Sequence, residues 1–476
     1  MADPVAAPNP DESRPSGLLE VDPALVDDIA VLLDSGQRGM VLNLVADLYP
    51  ADLALLLTRL PFEEAEQLFH WLPIHQASGT LAELDDDYRA ALLRHYPRLR
   101  LTELLDELDT DDAADVLADL PDEQALEVLP TLEDTDDLTE LLDYGEETAG
   151  GIMAREYIAV RPAWTLAEVI NEVRRQSDEI DEVYTAFVVG EGGQLEGIVS
   201  LKQLLLSPSE TEVRQIMNTD FIAVTTEVDQ EEVGRIVQRY DLVSLPVLDR
   251  DGRMMGRITI DDVVDVIREE VEEDMQIMSG VAGGEEPTDS IFRISQGRLP
   301  WLVVGLVGAG LSGLVIGSFE SALEEAVVLA TFIPVVMAMA GNVGIQSAAI
   351  AVQGLASGEV WTSDLLRRLG KEVGVALING LVLAGLLGGF VVSLPPLLVT
   401  LGYGVAADPN VVQLALTAGI SLLAVIILSA CIGTIVPLML DRFGVDPAIA
   451  TGPFITTSND IIGLAIFFLT ASLLYL

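Results

Sequence analysis

From about Leu18 to Tyr144 the apolar residues recur three and four positions apart, as in LVDDIAVLL, ALLLTRLPFEEAEQLFHWLP and LTELLDELDTDDAADVLADLP. That spacing sets one face of an α-helix against a core and predicts an array of short helices. Leu-Pro pairs at Leu60-Pro61, Leu72-Pro73, Leu120-Pro121 and Leu129-Pro130 punctuate it, because a proline ends one helix and is well placed to begin the next. Short helices of this kind stack into a superhelix.

The pattern changes at Gly151. GIMAREYIAVRPAWTLAEVINEVRRQ is echoed from Gln215 by QIMNTDFIAVTTEVDQEEVGRIVQRY, with Ile152, Met153, Ile158, Ala159 and Val160 answered by Ile216, Met217, Ile222, Ala223 and Val224. Each copy runs on into a β-like segment and a Gly-led strand, TAFVVGEGGQLEGIVSLKQLL and SLPVLDRDGRMMGRITIDDVV, the mark of an internally repeated α/β unit. With Gly197 to Ser200 and Gly256 to Thr259 in matching places, the pair resembles tandem cystathionine-synthase-type (CBS) modules.

Beyond Asp262 an amphipathic stretch, VVDVIREEVEEDMQIMSG, predicts a long helix. Hydrophobic spans then follow near Leu299–Phe319, Ala326–Val352, Val373–Leu401, Val411–Leu440 and Pro447–Leu476, each offering the roughly 20 apolar residues of a bilayer crossing. After Leu299 the only basic residues are Arg367, Arg368, Lys371 and Arg442. They fall in the second and fourth connections, which places those connections and the N-terminal half in the cytoplasm, and the C-terminus on the opposite side of the cell membrane.

Composition sharpens this division. A formal net charge of -51 stands beside a mean hydropathy of +0.41, so an acidic soluble half precedes an apolar membrane half embedded in lipid. Such a surface repels nucleic acid and anionic headgroups. Cys431 is the single cysteine, which excludes an internal disulfide and a cysteine metal cluster. His70, His75 and His95 show no metal-ligand spacing, and the chain is not expected to be an enzyme: no His-Glu-x-x-His pair lies in the membrane half. The N-terminus, MADPVAAPNPDESRPSG, has no basic region followed by an apolar run and reads as a disordered tail.

Asp460 interrupts the last apolar segment within TGPFITTSNDIIGLAIFF. A carboxylate at membrane depth costs roughly 2.5–3.5 kcal/mol on insertion scales, so it should face water or bind a cation. Thr456, Thr457, Ser458 and Asn459 add oxygens, while Gly452, Pro453 and Gly463 permit close packing or irregular backbone. The second span holds a matching set: Pro334, able to break the helix, Gly341 and Gly344, and the amides of Asn342 and Gln346.

These residues make the chain resemble the MgtE family of magnesium transporters and channels, through Pro334…Gly341-Asn342-x-Gly344-x-Gln346 and Asp446-Pro447-Ala448 followed by Pro453…Thr457-x-x-Asp460-x-x-Gly463. The resemblance implies a disordered tail (1–17), an all-α superhelical N domain (18–145) and a tandem α/β CBS pair (146–265, modules near 151–210 and 215–265). A linking, or plug, helix (266–298) and a pore domain of five transmembrane helices (299–476) complete it. It further implies a homodimer whose pore is lined by Asp460 from each chain, with Mg²⁺ as both substrate and regulator. Ile345 stands where some members carry a polar amide. A broader Mn²⁺/Co²⁺ transporter and a membrane-bound ion sensor without transport are the alternatives.

Acids matching the family's gate positions are Asp262, Asp265, Glu270, Glu273 and Asp274. Glu66, Asp111, Asp229, Glu231 and Asp241 match positions in the N and CBS domains, and Glu320, Glu324 and Asp446 match positions near the membrane. Like charges about 4 Å apart repel by roughly 1 kcal/mol in water and several times that near a protein surface, so bridging Mg²⁺ should draw such lobes together and shut the pore. Arg268 stands where the family can carry another acid. CBS pairs often bind adenine nucleotides through an Asp after the Ser/Thr of the Gly-led strand. The first module has Gln203 there, which makes nucleotide binding doubtful, whereas the second keeps Thr259 and Asp262.

Overall fold

The computed structural model describes residues 23–94, 96–177, 180, 183–285, 290–356, 365–400 and 410–476. His95, the N-terminal tail read as disordered, and the end of the third span at Leu401 lie outside them. The chain divides into two compact units, 1–267 and 268–476.

The first unit opens with ten short α-helices among the described residues, from α1 (Pro23–Asp34) to α10 (Thr135–Leu141). The Leu-Pro pairs set their ends by a steric rule: a residue before proline is pushed out of the helical region into extended backbone. Leu60, Leu72 and Leu120 accordingly cap α3 (Pro50–Arg59), α4 (Phe62–Trp71) and α8 (Thr110–Asp119) with ψ of 152°, 145° and 150°. All three leucines are buried in the common core. Pro61, Pro73 and Pro121 then take the N-cap of the next helix. Leu129-Pro130 differs, lying inside a 3₁₀ turn, Leu129–Thr131.

The repeat forms two three-stranded sheets. In the first, β1 (Ile158–Val160) pairs parallel to β2 (Thr185–Val189), which pairs antiparallel to β3 (Leu195–Ser200). In the second, β4 (Val224–Thr225), β5 (Ser244–Leu248) and β6 (Met254–Thr259) repeat that order and sense. The helices α11 (Leu166–Arg175), α12 (Leu201–Leu206), α13 (Gln230–Tyr240) and α14 (Ile260–Met278) complete the modules. The repeat's Met and Gly positions interlock across them. A Cβ on Gly256 would stand 3.0 Å from Met153, and one on Gly197 3.2 Å from Met217. Each glycine thus makes room for the other module's methionine.

The linking helix expected over 266–298 is α14, which starts eight residues after Gly252 as a direct continuation of β6 and ends at Met278. Gly280, at φ +77°, turns the chain. Along α14, Ile260, Val264, Ile267, Val271 and Met275 form an exposed apolar stripe.

Among its described residues the second unit carries five helices long and apolar enough to span a bilayer: α15 (Ile291–Ser318), α17 (Ile333–Ala356), α18 (Leu365–Thr400), α19 (Val411–Arg442) and α20 (Gly452–Leu474). The first starts earlier than the apolar run because Ser290 caps it, its Oγ accepting from Arg293 N at 3.3 Å. The connection after α15 contains the short helix α16 (Glu320–Glu325). Helix α19 packs against α17, α18 and α20 and is half buried within the unit.

Candidate ion path and acidic interface

Pro334 does not break its span. A 3₁₀ turn, Val327–Phe332, precedes α17, and Pro334 occupies the first turn, where its missing N–H removes no helical bond. The helix then continues unbroken through Gly341 and Gln346. Likewise α20 is continuous through Asp460, so of the two roles its glycines permit, close packing and irregular backbone, Gly463 takes the first. Asp460 sits about 12 Å along the helix from Gly452 at 1.5 Å per residue.

What the glycines provide is close approach. Gly308 of α15 leaves space for the Thr457 side chain, and Gly344 of α17 for the Asn459 amide; a Cβ at either glycine would overlap those atoms. Gly463 admits Ala340 and Val425 at 3.2 and 3.3 Å from its Cβ position. Notches in α15 and α17 and one in α20 itself therefore seat α20 against its neighbours, and they leave Asp460 half-buried opposite Gly341.

The polar residues around Asp460 behave differently from one another. Thr456 Oγ1 donates back to the carbonyls of Gly452 and Pro453 at 3.1 Å. Asn459 is 1% exposed, and neither amide atom has a hydrogen-bond partner. Asn342 and Gln346, four residues apart on α17, both lie on the face left exposed by this chain. Glu372, not singled out in the sequence, lies within the third span and accepts a 3.1 Å bond from Ser347 of α17.

In the first unit, the start of α8 meets the start of α14. Asp111 is 8% exposed. Burial, and then repulsion from Asp262, Asp112 and Asp109, raises its carboxyl well above the usual range. Asp112 is pushed up to about 7 by burial and by Asp262, Asp115 and Asp109, against the attraction of Arg89. Asp262 is raised mainly by burial, although Thr259 donates to it from both N–H (3.1 Å) and hydroxyl. Nearby, burial and then Asp265 and Asp261 raise Glu83. Of the acids singled out in the sequence, the fold thus brings Asp111 against Asp262 and sets Asp265 by Glu83.

The remaining acids are placed otherwise. Asp229 caps α13, accepting from Glu231 N at 2.9 Å. Asp241 ends that helix at φ 51°, a left-handed position that Asp tolerates better than most residues. Asp446 caps a 3₁₀ turn through Ala448 N at 2.8 Å. Glu66, Glu320 and Glu324 are exposed, and Glu270, Glu273 and Asp274 are half-buried along α14. Among the described residues no three Asp, Glu, His or Cys side chains converge tightly enough to hold a metal ion within one chain.

Known proteins match in the same order. Residues 48–147 fit the MgtE intracellular N domain, 149–210 and 213–269 the CBS domain, and 333–470 the divalent cation transporter domain of MgtE. The magnesium transporter MgtE of Thermus thermophilus is 35% identical over 337 residues, 70% of this chain and 71% of that protein. The chain belongs to the MgtE family. The Bacillus subtilis magnesium transporter MgtE is 29% identical over 448 residues, covering 93% of this chain and 96% of that one. The solved cytosolic domain of the Mg²⁺ channel MgtE in complex with ATP is 34% identical, with a TM-score of 0.49 over 51% of this chain and 99% of that chain. By its family the chain is a multi-pass membrane transporter with soluble N-terminal domains, and not an enzyme. The transporter match opens at the first residue of α17 and takes in both Gly341 and Asp460.

Several residues of the chain are not marked by the sequence. Asp112 follows Asp111 directly, and neighbours about 100° apart on a helix rarely share a buried face; here the whole first turn of α8 is covered. Thr110, Arg155 and Glu156, which join the N domain to the CBS pair, belong to segments whose pattern signals only a helix start and a strand.

Proposed function

We propose that the chain conducts Mg²⁺ through a path lined by Asp460 and that Mg²⁺ on the cytoplasmic side shuts it. Asp460 carries the reading. It is the one acid of its span, it sits well inside the helix, and the residue facing it on α17 is a glycine, so no side chain from that position covers the carboxylate. Mg²⁺ gives up water reluctantly, so a carboxylate that holds the ion through its water shell suits it. The relatives' description as magnesium transporters supports that choice of ion over Mn²⁺ or Co²⁺.

Asn342 and Gln346 point away from their own chain, as pore amides would in a homodimer whose path runs between two copies. The apolar stripe of α14 is a second surface a twin chain would cover. For gating, Asp111 and Asp112 lie near enough to Asp262 to feel its charge, and carboxylate oxygens are the donor chemistry Mg²⁺ prefers, although the three do not converge as a site by themselves. Glu66, Asp229, Glu231, Asp241, Asp265, Glu270, Glu273, Asp274, Glu320, Glu324 and Asp446 are assigned to the same regulatory set. A bound cation closes the path only by favouring the compact state.

The test is flux from proteoliposomes at stepped Mg²⁺ on the cytoplasmic face, with Mn²⁺ and Co²⁺ as competing cargo. Downhill Mg²⁺ movement that falls as cytoplasmic Mg²⁺ rises is expected. Binding without flux would make the protein an ion sensor instead.

A further inference from the structure

One contact between the N domain and the CBS pair is built from direct hydrogen bonds, which partly offset the burial of Glu156 and its repulsion by Asp134. Thr110, the first residue of α8, donates its N–H to both Glu156 oxygens (3.2 and 3.3 Å) and its hydroxyl to Oε2 (2.9 Å). The same hydroxyl accepts Arg155 N–H at 2.9 Å. Asp109, at the N-cap of α8, makes no side-chain cap of its own. Glu156, reaching over from the CBS side, supplies the anion that a helix N-terminus favours. Thr110 is 3% exposed, so water is excluded from these bonds.

Arg155 widens the contact. Its Nη1 donates to Met255 O of β6 at 2.6 Å, while its guanidinium pairs with Glu140 and, at 3.6 Å, with Asp137 of α10. Beside it, Ala154 and Arg257 exchange backbone bonds of 2.8 and 2.9 Å between the two modules. One segment, Ala154 to Glu156, therefore binds the first module to the second and both to the N domain. Asp111 and Asp112 come immediately after Thr110, so fixing that turn of α8 fixes the two buried acids opposite Asp262.

We propose that Thr110, Arg155 and Glu156 form a cation-independent anchor that sets the Mg²⁺ concentration at which the acidic N domain–CBS interface closes. Thr110 and Glu156 act as positioning residues: they touch no ion, but hold the Asp111 and Asp112 carboxylates near Asp262. The proposal rests on the gating reading above only for its effect on flux. Interface closure itself is measurable separately.

The experiment uses the full chain in proteoliposomes with Cys431→Ser and spin labels at Leu99→Cys and Glu191→Cys, both exposed. Pulsed EPR follows the N domain–CBS distance, and flux is recorded on the same samples, against MgCl₂. Thr110→Val and Glu156→Ala are expected to raise the Mg²⁺ midpoint of docking about tenfold, the scale of one lost hydrogen bond to a charged group. Thr110→Ser should keep the native midpoint. An unchanged docking midpoint in Thr110→Val, or a Thr110→Ser midpoint as high as that of Val, overturns the anchor. A shifted docking midpoint with an unshifted flux midpoint upholds the anchor and refutes the gating reading instead.

Discussion

Gly341 on α17 faces Asp460 on α20 so closely that a Cβ at 341 would stand 4.0 Å from the carboxylate Oδ1 and 3.5 Å from Thr456 Cγ2. Both are ordinary contact distances, so one methyl group fits and a branched chain does not. Gly341→Ala should retain most Mg²⁺ flux, whereas Gly341→Leu should cut it at least about tenfold by displacing or covering the Asp460 carboxylate. Equal flux from the two variants would place the ion elsewhere.

Gly344 plays a different part, since a Cβ there meets the buried Asn459 amide and Ile455. Overpacking of this kind costs about 1–3 kcal/mol. Gly344→Ala should lower the thermal midpoint in detergent, and adding Asn459→Ala should restore part of it. If the double variant is no more stable than the single, the clash is not what destabilises it.

The acidic interface has a definite pH sign. Docking buries Asp111 and Asp112, which raises their carboxyls above the usual range, Asp112 to about 7; undocked and exposed they would titrate near about 3.9. Between those values the docked state binds more protons, so without divalent cations docking weakens as pH rises and its proton-linked part is gone above about 7. In EDTA, the N domain–CBS distance should be short at pH 5.5 and longer at pH 8, with Mg²⁺ reversing the change at pH 8. Docking that strengthens with pH in EDTA contradicts this.

The fate of nucleotide turns on one side chain. Gln203 accepts from Ser200 N and Oγ at 3.0 Å and donates to Ile216 O at 3.3 Å, so its amide is committed. A carboxylate could cap Ser200 and still accept from a ribose hydroxyl, as charged acceptors bind such donors more strongly. Gln203→Asp should raise ATP affinity about tenfold by calorimetry. Equal affinity would mean that the first module does not meet the ribose through this position.

Helix ends and spans were legible because their signals are local. Proline sterics stopped helices at Leu60, Leu72 and Leu120, and apolar run length set the spans. Pro334 misled for a reason just as local: the same residue breaks a helix inside and suits its first turn, and only the start of α17 decides between them. Asp460 stood out because charge is costly where it lies. What the sequence could not show was proximity. Thr110 and Glu156 are 46 residues apart, and nothing in their own segments marks them as partners. Nor does the acidic run around Asp111 reveal that Asp112 is buried too, since burial there depends on the CBS pair resting on α8.

The most direct measurement of the central claim is Mg²⁺ flux through Asp460→Asn, with Asp460→Ala beside it, in proteoliposomes at equal protein incorporation. The Asn variant keeps size and oxygen but loses the charge, so flux is predicted to fall by at least about tenfold in both, with the thermal midpoint of Asp460→Asn no lower than native because an acid has left the apolar span. Native Mg²⁺ flux through both variants, with monovalent ions still excluded, would show that the ion does not pass Asp460.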